Sequence, residues 1–140
     1  MGTLIKIAVI FILSVCGLQA QEQTSYTITV KVEGTESNDG KMLIALYNDE
    51  SDFLEKTYKG AKSNIANNEC VITFKDIPEG TYAVSVFHDE NDNDKLDSNF
   101  IGIPKEDYGC SNNAKGFMGP PKWKDAKFEL KSDTSITITL

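Results

Sequence analysis

Arginine is missing from all 140 residues of this chain, so each of its 14 basic residues is a lysine. Bidentate guanidinium clamps for phosphate or carboxylate are therefore unavailable. With 21 acidic residues and a net charge of −7, and with the lysines scattered along the chain as a solvated surface would have them, the composition argues against a nucleic-acid partner. Histidine and tryptophan occur once each, as His88 and Trp123, and cysteine three times. No CxxC or Cys/His spacing suggests a zinc site, and no phosphate-cradling glycine loop or nucleophile elbow is present. Long hydrophobic runs are also lacking. The longest at the N-terminus, Ile7-Ala8-Val9-Ile10-Phe11-Ile12-Leu13, is too short to cross roughly 30 Å of hydrocarbon as a permanent helix.

That run follows the lone charge of Lys6 and precedes a small and polar stretch from Ser14 to Ala20, the three-part layout of a secretory signal. Residues 1–20 are expected to be removed, with Leu18-Gln19-Ala20 at the cut, leaving a periplasmic or extracellular domain over residues 21–140. A second reading treats Leu13-Ser14-Val15-Cys16 as a lipobox with a lipid anchor on Cys16, although Val15 is bulky for the position before such a cysteine. Removing the signal takes away only Lys6, so the 14 basic and 21 acidic residues become 13 and 21, and the charge moves from −7 to −8. The remaining length fits one domain. Cys70 and Cys110 remain, an even number in an exported chain, which permits one disulfide. The alternative is one buried thiol and one loop thiol.

The hydrophobic pattern has period two. Tyr26, Ile28, Val30 and Val32 alternate with polar residues, which predicts a half-buried strand. Asn38-Asp39-Gly40 supplies a turn. The nearly continuous apolar run Met42–Tyr47 predicts a central strand covered on both faces. A weak edge strand falls between Lys59 and Ile65. Cys70, Ile72 and Phe74, then Tyr82, Val84 and Val86, flank the turn Ile77-Pro78-Glu79-Gly80 and read as a hairpin. Ala126, Phe128 and Leu130, and finally Ile136, Ile138 and Leu140, complete six or seven strands. With no 3.6-residue periodicity, this predicts an all-β fold: a single Ig-like or prealbumin-like antiparallel β-sandwich.

The stretch from Asp89 to Lys122 fits no strand, and segments of this length in a compact domain usually carry function or bind something that orders them. Within it, His88-Asp89-Glu90-Asn91-Asp92-Asn93-Asp94-Lys95-Leu96-Asp97-Ser98-Asn99 places oxygen donors at Asp89, Asn91, Asn93 and Asp97. Alternate short oxygen-bearing side chains on a turning loop are the pattern that wraps calcium. Two departures stand out: Asp94 holds the place of the turning glycine, and Phe100 that of the bidentate glutamate. Aspartate tolerates the left-handed conformation; the missing carboxylate would have to come from elsewhere, for example Glu106 or Asp107. The competing reading is a solvated turn whose Asx side chains bond their own backbone.

This run, followed by Gly102-Ile103-Pro104-Lys105-Glu106, Tyr108-Gly109-Cys110-Ser111-Asn112-Asn113 and Gly119-Pro120-Pro121, and preceded by Pro78-Glu79-Gly80-Thr81-Tyr82-Ala83-Val84, resembles the bacterial domain-of-unknown-function family twenty-one forty-one. The resemblance covers most of the mature chain. It implies an exported protein with a sandwich similar to prealbumin-like or carboxypeptidase-regulatory-like domains, and no activity. The chain departs from the family pattern at Asp94, where glycine is usual, and at Cys110, where an aromatic residue is usual; Cys110 strengthens the case for a bridge to Cys70.

Two further chemistries are weighed against this background. His88 shares parity with Tyr82, Val84 and Val86, so it is expected to end an inward-facing row, held by hydrogen bonds. The catalytic alternative makes it the general base of a small extracytoplasmic hydrolase with Ser85, Ser98 or Ser111. Tyr108 and Trp123, with Phe100 and Phe117 nearby, offer an aromatic platform for a peptide, a carbohydrate or an envelope protein; the plainer reading has them plugging an open end of the sandwich. The expectation from the sequence is an exported, non-enzymatic β-sandwich acting as an envelope accessory or recognition module. Its acidic loop would be ordered by calcium or by its own Asx turns.

Overall fold

A computed structural model describes residues 22–140, so the expected signal segment and Cys16 lie outside the described residues. The described residues form eight strands: β1 (Ser25–Glu33), β2 (Lys41–Tyr47), β3 (Lys59–Ser63), β4 (Glu69–Pro78), β5 (Gly80–Asp89), β6 (Tyr108–Cys110), β7 (Phe128–Leu130) and β8 (Thr134–Thr139). One four-residue helix, α1 (Trp123–Ala126), and two 3₁₀ turns, Glu50–Asp52 and Ser111–Asn113, interrupt the connections. No helix among the described residues is long and apolar enough to cross a membrane.

The strands build two sheets, one ordered β4-β1-β8 and the other β3-β2-β5-β6, with β7 paired to the first residues of β5. The all-β sandwich expected from the alternation is the fold observed. Ile28, Val30 and Val32 of β1 face Met42, Ile44 and Leu46 of β2 and Tyr82, Val84 and Val86 of β5 in one buried core. Phe74 and Ile77 both enter this core although three residues apart. Asp76 adopts φ 56° between them, and the β1–β4 register shifts there; a bulge of this kind returns a strand to the inward face.

Three sequence expectations are corrected. β4 and β5 are not a hairpin: the tight turn at Pro78-Glu79-Gly80 carries the chain from one sheet to the other. Both strands have a strongly apolar face, and facing each other across the core buries both. The sandwich is not wholly antiparallel, because β8 runs parallel to β1, from Ile28↔Thr134 to Glu33↔Thr139. β1 and β8 lie at opposite ends of the described chain, with six strands between them, so no hairpin imposes antiparallel pairing on the two. Finally, the stretch Asp89–Lys122 is not wholly irregular, since Tyr108–Cys110 pairs with Ser85–Phe87.

β2 lies centrally between β3 and β5, as its apolar run predicts. Its outward residues Leu43 and Ala45, with Ser85 and Phe87 of β5, are only half-buried. The larger sheet therefore presents a second apolar face, and what lies above that face is the functional question.

Candidate functional site: an acidic loop beside an apolar cleft

Asp89 ends β5 fully buried, and its carboxylate organises the loop that follows. Oδ1 accepts the backbone N–H of Asn93 at 3.1 Å and Oδ2 that of Asp94 at 2.7 Å. The loop needs two left-handed residues to fold back this far, and they are Asp92 (φ 59°) and Asp94 (φ 62°). Aspartate stands at the glycine position without breaking the turn, as its short polar side chain allows. Asn93 Oδ1 accepts Lys95 N–H at 3.0 Å, an Asx turn.

Three of the four predicted ligands, Asn91, Asn93 and Asp97, meet side chain to side chain, while Asp89 is turned to the loop backbone. Asn91 donates to Asp97 Oδ2 at 2.6 Å, and Asn93 donates to both Asp97 oxygens at 2.9 and 3.0 Å. These amide donors, Asn93 foremost, hold the Asp97 carboxyl below its ordinary range. Glu106 returns to the loop from downstream, its Oε2 accepting Asp97 N–H at 3.3 Å. Burial pushes the Glu106 carboxyl up, and the neighbouring charges of Asp97 and Asp89 push it further, against the lowering effect of that N–H.

Sequence reasoning overlooked the other half of the cluster. Carboxylate oxygens of Asp89, Asp92 and Asp94 lie within 4.8 Å of one another. Lys41 meets Asp92 at 2.6 Å and Asp94 at 3.8 Å, and Lys62 meets Asp94 at 2.8 Å. Lys62 holds the Asp94 carboxyl low, and Asp92 holds the Lys41 ammonium high. Lys41 is opposite Asp89 in the β2–β5 register and Lys62 lies on β3. The available signal was strand pairing, which the sequence leaves open. Lys41 and Lys62 thus pair only with Asp92 and Asp94, and Asp89, Asp97 and Glu106 have no ion-pair partner among the described residues.

His88 is fully buried on the inward face of β5, directly opposite Met42. Its Nε2–H donates to the Asp39 carbonyl at 2.6 Å; Nδ1 makes no hydrogen bond and lies 3.6 Å from Glu90 Oε1. Ser85 points to the opposite face, where its hydroxyl meets Tyr47 OH at 3.1 Å. Ser111 is buried under α1, accepting Val84 N–H and donating to the Ala126 carbonyl. Ser98 sits in the loop in an isolated bridge with Pro104. Neither Ser85 nor Ser111 is available to His88 as a nucleophile.

Of the two states the sequence left open, the structure has the free thiols: Cys70 and Cys110 are both unbridged and buried. Cys70 faces the core between the sheets, whereas Cys110 packs with Ala83 and Ala126 on the outer side of the larger sheet. A sheet therefore lies between the two thiols. Sheets stack about 10 Å apart, while a bridge needs Cα atoms within about 7 Å. Burial pushes the Cys110 thiol up to about 11.

Above the outer face of the larger sheet is a cleft of about 1590 Å³. Leu43, Ala45 and Phe87 are on its floor; Leu96, Ile101 and Ile103 come from the acidic loop and its continuation. Tyr108 and Trp123, the two residues of the predicted platform, both line it. One end is built by an aromatic ladder in which Tyr47 meets Phe53 edge-on at 5.3 Å and Phe53 meets Trp123 at 5.7 Å. Trp123 is half-buried there and Tyr108 is exposed, so the ladder closes one end without covering the floor. The cleft was only partly legible: the aromatics marked it, but the half-open outer face of β2 and β5 depended on where the 96–123 segment settles.

Residues 30–138 match a family model described as an uncharacterized protein conserved in bacteria (DUF2141). No curated protein and no solved structure matches the chain.

Proposed function

The chain belongs to the bacterial DUF2141 family, and on that premise we propose that its domain is an exported, non-enzymatic recognition module that holds an apolar ligand against the outer face of the larger sheet. The observation that carries this reading is the cleft itself. A sheet face bearing Leu43, Ala45 and Phe87 stays open to solvent beneath Tyr108 and Trp123. Concave, mostly apolar surfaces with a few polar groups are where small ligands bind. Export is supported by the signal layout of residues 1–20. A hydrolase centred on His88 has less support, because Ser85 and Ser111 are engaged elsewhere.

The only tryptophan of the chain lines the cleft, so it reports occupancy without a label. Titration with N-phenyl-1-naphthylamine, an uncharged apolar probe, should quench Trp123 emission saturably. A linear, non-saturating response would remove the recognition reading.

The acidic loop supports a second element of the proposal, a calcium ion that orders the wall of the cleft. Asp89, Asp97 and Glu106 offer carboxylate oxygens, and Asn91 and Asn93, whose amide nitrogens donate to Asp97 here, would turn their oxygens inward to complete the all-oxygen set a hard cation takes. Glu106 supplies the carboxylate that Phe100 cannot. The ion would supply positive charge among carboxylates that otherwise repel; Lys41 and Lys62 neutralise only the Asp92 and Asp94 side. Thermal unfolding tests this. Calcium at a hundredfold excess over its dissociation constant should add about 2.7 kcal/mol, and identical melts in chelator and in calcium would contradict it.

A further inference from the structure

We infer that His88 and Glu90 form a binding site for a borderline divalent metal ion of the zinc type, held between His88 Nδ1 and Glu90 Oε1. His88 stands on the inward face of β5 and the cleft lies over the outer one, so the inference is independent of what the cleft holds.

Local structure makes the pair. Residues two apart on a strand share a face, so Glu90 follows His88 on its side while Asp89 turns to the acidic loop. The Glu90 N–H donates to the His88 carbonyl at 3.1 Å, which folds Glu90 back toward the residue it meets. The ring is fixed from its other side. Nε2 lies 2.6 Å from the Asp39 carbonyl, which can only accept, so Nε2 carries the proton and the neutral ring keeps its lone pair on Nδ1. Gly40 lets this turn close on β5, since a side chain there would collide with the Asp89 carbonyl. Nδ1 is buried, has no hydrogen-bond partner and faces Glu90 Oε1 at 3.6 Å. Two electron-rich atoms thus confront each other where water does not reach the ring, an arrangement that a cation between them relieves.

Distance decides which cation. An N–H···O hydrogen bond spans about 2.7–3.2 Å, so the 3.6 Å separation is too long for a shared proton. A zinc ion bonds nitrogen at about 2.0–2.1 Å and oxygen at about 2.0–2.2 Å, and at ligand angles of about 110–120° it sets the two atoms roughly 3.4–3.6 Å apart. Calcium needs longer bonds and oxygen donors, whereas imidazole nitrogen suits zinc, copper and nickel. A metal-binding histidine ordinarily donates its other ring N–H to a carboxylate or a backbone carbonyl, and Nε2 does so. The Glu90 side chain is 45% exposed, so the ion enters from that side. With two protein ligands the site is an open one, its remaining positions left to water.

His88 is the only histidine of the chain, so a single imidazole signal reports the site. The test is zinc titration of ¹⁵N-labelled residues 21–140 in excess calcium, which keeps oxygen-only sites occupied, read by the long-range ¹H–¹⁵N spectrum of the ring. Glu90→Gln is the variant; the position is exposed, and the amide spectrum confirms that the variant is folded. Zinc should move Nδ1 far more than Nε2, saturate at one ion per chain, and bind the variant roughly tenfold or more weakly. Magnesium in its place should leave the ring unmoved. A ring that zinc does not move, a shift led by Nε2, or a variant that binds zinc as the parent does would overturn the inference. So would an Nδ1 that carries a proton at neutral pH and keeps it in zinc, because the partner of Glu90 is then a proton. Zinc that shifts only the amides of Asn91 to Asp97 belongs to the acidic loop and counts equally against the site.

Discussion

Glu106 concentrates the chemistry of the loop in one residue. Its carboxyl is pushed up by burial and by the charges of Asp97 and Asp89, so the charged form is disfavoured in the folded state. A raised carboxylate penalises the fold above its unfolded value, and the penalty is relieved as pH falls through the folded value. Asp97 and Asp94 have the opposite sign: both are lowered, Asp97 by the Asn93 and Asn91 amides and Asp94 by Lys62. Their contribution is present above the unfolded value of 3.8 and is lost as pH falls through the lowered folded values. Glu106→Gln separates the two roles proposed for this side chain. In chelator at neutral pH it should raise the melting temperature, because a repelling charge is gone. In calcium it should reduce the metal-dependent gain, because a ligand is gone. A variant that melts lower in chelator and keeps the full calcium gain would contradict both. Glu106 was named from the sequence as a source for the missing ligand, but the Lys41 and Lys62 pairs were not, since they depend on the register of β2 against its neighbours.

At the scale of elements, alternation made the strands legible and left their partners open. Tyr26 to Val32 and Tyr82 to Val86 read correctly as strands with one buried face. The supposed hairpin at Pro78–Gly80 failed because a tight turn between two one-sided strands serves a hairpin or a crossing between sheets equally well. β6 escaped notice because Tyr108-Gly109-Cys110 is too short to show a period. Gly109 faces inward there, where an added methyl would come within 2.8 Å of Ile138. The turn before β2 was legible from Asn38-Asp39-Gly40, and it does more than reverse the chain. Gly40 takes φ 64°, and a side chain on it would meet the Asp89 carbonyl oxygen at 1.9 Å. Gly40→Ala therefore combines a left-handed penalty of about 1–2 kcal/mol with a backbone collision at the root of the acidic loop. Urea unfolding should show a lower midpoint with an unchanged slope, and a midpoint equal to the parent would contradict the packing of this turn against β5.

For the whole molecule, the larger sheet matters because it is apolar on both faces, and this one property explains the core, the thiols and the cleft. It separates Cys70 from Cys110, so two thiols per chain over residues 21–140 should react with Ellman's reagent in non-reducing denaturant and be protected in the folded protein. Finding none in denaturant would mean that a bridge forms. The continuous apolar run Met42–Tyr47 announced a strand covered twice, and the structure covers the outer side only in part, with the aromatic ladder at one end and the cleft over the rest. How far such a face is covered is decided by the loops above it, which carry no periodicity to read. The most direct test of the central claim is to locate the bound probe by ¹⁵N-amide shift changes on adding N-phenyl-1-naphthylamine. The account predicts shifts clustered at Leu43 to Tyr47, Ser85 to Phe87, Tyr108 and Trp123, with β1, β4 and β8 unmoved. Shifts centred on the three-stranded sheet, or none at all, would contradict it.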